Sequence, residues 1–161
     1  MQPPPGGTSY LTTDPLGSTR MTTDSNGAVR SRDDYLPFGE EIGTTGSGRS
    51  SVPGYSSSTD IHQRFTSKER DTETGLDYSI NRYYSSTQGR FTSPDPTLLS
   101  VNGFSPQSWN RYNYVMNNPL VYVDPLGLWA LYAEDVYKTK KNKMARKQKS
   151  MITQYYMRER R

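Results

Sequence analysis

The 161-residue chain has no cysteine. Disulfide frameworks, thiolate nucleophiles and cysteine-based zinc sites are therefore excluded. It has a single histidine, His62, so a multi-histidine metal site is excluded too, and a serine triad would have to be built around that residue. His62 stands among Asp60, Gln63 and Arg64 with no nucleophile signature beside it, which reads as an exposed turn histidine. No metal or cofactor is expected. Long apolar runs are also missing: nothing approaches transmembrane length, and Met1 to Tyr10 lacks the charged and apolar regions of a signal peptide. Apolar residues make up only 31% of the chain, well below the roughly 45–50% of ordinary globular proteins.

Tyrosine is abundant, with thirteen against four Phe and two Trp. A tyrosine can bury its ring while its hydroxyl stays wet, which suits an amphipathic β-surface better than a large independent core. The charge is uneven. Residues 1–128 carry net −3 and residues 129–161 carry net +7. Seven of the positive charges fall between Lys138 and Lys149. Such a block reads first as a solvated or disordered face, and second as a contact for nucleic acid or acidic membrane.

Turn chemistry predicts a mainly β fold of short antiparallel hairpins. Asp14-Pro-Leu-Gly17 and Asp24-Ser-Asn-Gly27 are D-x-x-G turns, in which Asp bonds its own backbone and Gly takes positive φ. Between and after them, Ser18–Thr23 and Ala28–Tyr35 read as strands. Pro37 ends this ladder, and Phe38 is expected to anchor it. The domain reading is a disordered start over 1–9, a hairpin repeat over 10–42 and a flexible Gly/Ser-rich loop over 43–60. A core over 61–128 and a basic tail over 129–161 follow. Within the core, Gly75–Tyr84 reads as a strand that turns through Ser85–Gly89 into Arg90-Phe-Thr92. Ser105-Pro106 opens one short helix over 105–116, and Val121–Val123 forms a further strand. From Ala130 propensity favours helix, without a clean apolar period, so the tail is expected to be helical or disordered and to add little to folding.

Several further segments stand out in order along the chain. They are Asp14-Pro-Leu-Gly-Ser-Thr-Arg20, Tyr35-Leu-Pro-Phe-Gly-Glu40, Phe65-Thr-Ser-Lys-Glu-Arg-Asp71 and Glu73-Thr-Gly-Leu-Asp-Tyr78. Arg82-Tyr-Tyr84, Gly89-Arg-Phe91, Ser93-Pro-Asp-Pro96, Asn110-Arg-Tyr112, Asn117-Asn-Pro-Leu120 and Asp124-Pro-Leu-Gly-Leu128 continue the series. Taken together, these segments resemble the Rhs repeat-associated core, from whose pattern Ser67 and Ser85-Ser86 depart. That family includes Rhs proteins and the C component of insecticidal Tc toxins. Its YD-repeat chain winds into a hollow β-shell around a C-terminal toxin, and the core plugs one end.

The resemblance implies an aspartyl autoprotease that cuts after D-P-x-G-L and frees the C-terminal segment inside the shell. Carried over by position, the catalytic aspartates fall on Asp95 and Asp124, the supporting arginine on Arg82 and the cut bond on Leu128–Trp129. Pro125 and Gly127 support the motif. The chemistry suits these residue types: two close carboxylates cannot both ionise easily, so one acts as acid and the other as base for a water. A guanidinium beside them orients or ionises one. Proline after each aspartate stiffens its presentation, and Gly127 lets the backbone bend beside the cut bond.

Asp14-Pro-Leu-Gly17 nearly repeats the second motif but matches a repeat turn, and stays outside the site. The implied partners are an upstream YD-repeat shell, in cis or as a separate chain, with immunity or secretion-system proteins further off. The implied location is secreted or cell-surface. With so little repeat sequence before residue 43, cutting is expected within a longer shell and slow or absent in this chain alone. A non-catalytic shell or interaction fragment would carry the same residues.

Overall fold

The computed structural model describes residues 8–43, 49, 52, 54–55, 61–97 and 101–136. Most of the expected 43–60 loop, the 1–7 start and the 137–161 part of the basic tail lie outside them. Among the described residues, three small antiparallel sheets make up the fold. The first holds β1 (Tyr10–Thr13), β2 (Thr19–Thr23) and β3 (Val29–Arg32) in that order; the second holds β4 (Glu69–Arg70), β5 (Asp77–Ser79), β6 (Arg82–Ser85) and β7 (Arg90–Phe91). The third pairs β8 (Tyr122–Val123) with β9 (Leu131–Tyr132).

The D-x-x-G turns form as their sequence dictates. Asp14 Oδ1 accepts the N–H groups of Leu16 and Ser18 at 2.9 and 2.8 Å, and Asp24 Oδ1 accepts those of Asn26 and Ala28 at 2.8 and 2.9 Å. Gly17 and Gly27 sit at φ +81° and +82°, where a side chain would be strained. The first turn docks on the core: Ser67 Oγ donates to Gly17 O at 2.8 Å, and Thr66 N–H donates to Ser18 Oγ at 3.1 Å.

An aromatic cluster holds the rest together. Phe65, Tyr84, Phe91 and Tyr114 are each 1–2% exposed, with ring centroids 4.3–6.3 Å apart across the contacting pairs. Those spacings allow tilted and edge-on contacts, which add to plain area burial. The tyrosines thus supply the core that the aliphatic residues do not. Phe38 packs against this cluster as the expected anchor, and its carbonyl accepts the Tyr84 hydroxyl at 2.7 Å. Gly39 has its φ at +88°, and a Cβ there would lie 2.4 Å from the Phe65 ring.

Two expected elements take a different form. The strand read over Gly75–Tyr84 is a hairpin, β5 and β6, turned at Ile80-Asn81. Ile80 sits at φ +58°, a region costly for a branched side chain. The alternating pattern concealed a turn that no glycine marks. The short helix over 105–116 appears as two single turns, Pro106–Trp109 and Val115–Asn117. In the second, Val115, Met116 and Asn117 lie at φ +43°, +55° and +60°, so it winds with the left hand and cannot continue a right-handed helix.

Because Ile80 is 57% exposed, replacing it by glycine gives up little buried surface. Relief of the left-handed strain, roughly 1–2 kcal/mol, exceeds the roughly 0.5–1 kcal/mol of extra chain entropy. Ile80→Gly is therefore expected to leave stability unchanged or raise it by up to about 1 kcal/mol in denaturant titration. A clear loss would mean that the Ile80 side chain makes packing contacts worth more than the strain.

Candidate active site

Arg82 opens β6, one residue past the strained Ile80-Asn81 turn, and is 5% exposed. Its guanidinium lies 3.6 Å from the centre of the Phe91 ring, so the aromatic core forms its floor. Its tightest bonds go to the backbone. Nε donates to Gly127 O at 2.5 Å and Nη1 to Arg111 O at 2.9 Å. The remaining nitrogen, Nη2, faces two carboxylates at once: Asp95 Oδ2 at 3.7 Å and Asp124 Oδ2 at 3.6 Å. These are ion-pair distances beyond ordinary hydrogen-bond length. The guanidinium therefore gathers the two oxygens around one nitrogen without gripping either tightly.

Each aspartate is positioned by its own segment. Asp95 follows β7 on a stretch that runs beside 111–113: Phe91 N–H donates to Tyr112 O and Asp95 N–H to Arg111 O, both at 2.9 Å. The Arg111 side chain returns a bond to Asp95 O. Asp95 Oδ1 accepts the Thr97 N–H at 2.7 Å and the Thr97 hydroxyl at 3.0 Å, leaving Oδ2 toward Arg82. Asp124 follows β8 directly. Its Oδ1 accepts the N–H groups of Leu126, Gly127 and Leu128 at 3.3, 2.8 and 3.0 Å. This is the same local turn that Asp14 and Asp24 make. What differs is the setting, since Asp124 is 3% exposed and shares Arg82 with Asp95.

Burial pushes the Asp124 carboxyl above the ordinary carboxylate range, while the Leu128 N–H and the charges of Arg82 and Lys68 pull it back. Burial also pushes the Arg82 pKa below its usual value, against the two aspartates that hold it up. Arg82, Asp95, Asp124, Leu128 and Trp129 line one cavity of about 40 Å³, enough for a water molecule. A carboxylate pair, a guanidinium, a backbone segment and space for water are the parts that acid–base hydrolysis of an amide uses.

All the residues expected at the site are thus brought together: Asp95, Asp124, Arg82, Leu128, Trp129, Pro125 and Gly127. His62 is exposed, its ring contacting Arg70 O at 3.4 Å, and Asp14 lies in the first sheet's turn. Sequence reasoning passed over Lys68 and Asn81, which bond the carbonyls of Pro125 and Leu126. Lys68 stands inside one quoted segment, but only the fold brings it to a partner 57 positions away. The chain past Trp129 does not leave the body at once. Leu131 and Tyr132 pair with Val123 and Tyr122, and a helical turn begins at 133. No group of acidic residues or histidines able to hold a metal occurs among the described residues, and no helix among them is long and apolar enough to cross a membrane.

No family model matches the chain. Relatives and solved structures do. The chain is 32% identical over 128 residues to double-stranded DNA deaminase toxin A of Burkholderia cenocepacia (strain H111), covering 80% of this chain and 8% of that protein. It is 31% identical over 119 residues to toxin subunit YenC1 of Yersinia entomophaga, covering 74% of this chain and 11% of that one. The crystal structure of TcdB2–TccC3 without its hypervariable C-terminal region superposes with a TM-score of 0.60 at 28% identity, over 79% of this chain and 6% of that one. This chain therefore spans only about a tenth of each of these three proteins, which are toxins and toxin components. On sequence and fold together, it belongs to the Rhs and Tc-toxin C-component family and carries its repeat-associated core.

Proposed function

We propose that this chain is the self-cleaving core of a toxin-delivery shell, in which Asp95 and Asp124 hydrolyse the Leu128–Trp129 bond in cis. One observation carries the reading: Arg82 Nη2 stands 3.7 and 3.6 Å from one oxygen of each carboxylate, in a cavity that Leu128 and Trp129 also line. Asp124, whose burial favours the protonated form, suits the acid, and Asp95 the base. Asp95 takes a proton from water, whose oxygen attacks the Leu128 carbonyl carbon. Asp124 protonates the Trp129 nitrogen as the C–N bond breaks, leaving a Leu128 carboxylate and a free Trp129 amine. The tether supplies a large effective molarity, so rate depends on holding this geometry.

In this reading the partner is a YD-repeat shell, in keeping with solved relatives that are TcdB2–TccC3 complexes, and the setting is a secreted toxin. Immunity and secretion-system proteins, and acidic membrane or nucleic acid at the basic tail, would act on the segment past Trp129. The competing reading is a non-catalytic shell fragment. It draws on the same triad, because a guanidinium between two carboxylates also serves as a buried ion cluster. Intact mass of the shell-bearing polypeptide, with and without Asp124→Asn, separates the two. The first reading expects two fragments from the wild type and one uncut chain from the variant. An uncut wild type would favour the fragment reading.

A further inference from the structure

The carboxylate pair accounts for the chemistry but not for what holds the bond against it. Three consecutive carbonyl oxygens before Leu128 are each engaged by a different side chain. Lys68 Nζ donates to Pro125 O at 2.5 Å, Asn81 Nδ2 to Leu126 O at 2.9 Å and Arg82 Nε to Gly127 O at 2.5 Å. The Asn81 N–H reaches the same Leu126 oxygen at 3.3 Å. On the other side of the segment, Asp124 Oδ1 collects the N–H groups of residues 126 to 128.

Gly127 closes the fit. Its φ is +71°, and a Cβ there would lie 2.6 Å from Ser79 O. The Leu126 side chain, by contrast, is 37% exposed. The segment is therefore held through its backbone, with side-chain selection concentrated at Gly127. Past the bond, β9 pairs with β8, and Ala133 N–H donates to Val121 O at 3.0 Å. Both flanks of Leu128–Trp129 are fixed to the same body. Lys68 is only 8% exposed, and an ammonium taken out of water is costly unless its bonds compensate.

We infer that Lys68 and Asn81 are substrate-positioning residues, a backbone strap that aligns Leu128–Trp129 with Asp95 and Asp124. The inference rests on the cleavage reading above. Displacing a reacting bond by about 1 Å can cost on the order of a hundredfold in rate. A strap built of carbonyl bonds accepts any donor of the right reach, so Lys68→Arg should serve and Lys68→Met should not.

The test measures the cleavage rate of the shell-bearing polypeptide across pH, with the folded fraction of each variant followed by circular dichroism. Lys68→Met and Asn81→Ala are each expected to slow cutting roughly ten- to a hundredfold, with the folded fraction intact. Lys68→Arg is expected to keep most of the rate. The Lys68 charge also helps hold the Asp124 carboxyl down. Lys68→Met should therefore move the carboxylate limb of the pH–rate profile upward, whereas Asn81→Ala lowers the plateau without moving that limb. Rates at the wild-type level in both variants, or losses that only track unfolding, overturn the strap and leave the protease reading standing. A wild type that is not cut, or an Asp124→Asn variant that is, takes both down.

Discussion

In the shell-bearing polypeptide, Asp95→Asn and Asp124→Asn are each expected to leave the chain uncut, while Asp14→Asn and Asp24→Asn are expected to leave cutting at the wild-type rate. All four aspartates precede or sit in turns, and Asp14, Asp24 and Asp124 make the same local bonds to following N–H groups. An asparagine carbonyl oxygen can accept those bonds as well, so the turn and the fold should survive each substitution. What asparagine cannot do is carry or take a proton. Loss of general acid–base assistance typically costs about 10²–10⁴-fold, and in the proposed reaction both groups are needed for a single cut. Residues that act as a unit are non-additive, so the double variant should be no slower than either single one. Time courses followed by gel and mass would show this. Cutting that survives both substitutions would rule out the carboxylate mechanism.

The second large effect is on stability and lies away from the site. Asp77 is fully buried on β5, and Arg70 meets it with two bonds, Nε to Oδ1 at 2.6 Å and Nη2 to Oδ2 at 3.0 Å. The fork geometry satisfies both oxygens at once. Arg70→Met keeps the side-chain stem and removes the partner, stranding a buried carboxylate, a change that typically costs about 3–5 kcal/mol. The pH dependence gives the cause away. Burial already raises the Asp77 carboxyl above its ordinary value of 3.8, with Arg70 pulling it back. The folded state therefore holds this proton more readily than the unfolded chain, and stability falls as pH rises from near 3.8 through the raised folded value. Without Arg70 that folded value climbs further and the window widens. The deficit of Arg70→Met, read from denaturant titration, should be larger at neutral pH than near pH 4. A deficit of equal size at both would assign the loss to packing instead.

The parts that were legible in the sequence are those governed by local chemistry. Asp-x-x-Gly spacing gives the turns at 14–17 and 24–27, because both the carboxylate bond and the positive φ are settled within four or five residues. The proposed site residues came from resemblance, which placed Asp95, Asp124 and Arg82 in a common register. Their meeting around one nitrogen depends on the β5–β6 turn and on the return of 111–113 beside β7, and no local pattern encodes either. The Ile80-Asn81 turn was hidden because Ile is a strand former, and only the surrounding packing makes it adopt a left-handed conformation. Val115 and Met116 concealed the second left-handed turn in the same way. Lys68 and Asn81 read as ordinary polar residues, because a bond to a carbonyl more than forty positions away leaves no trace in spacing.

The most direct measurement is the identity of the new chain ends. The shell-bearing polypeptide is allowed to react, and both fragments are mapped by mass and by amino-terminal sequencing. The account predicts one fragment that ends at Leu128 and another that begins Trp129-Ala-Leu-Tyr, in yields independent of protein concentration. Ends at any other bond, or a yield that rises with concentration, would contradict cutting in cis at the bond beside Asp95, Asp124 and Arg82.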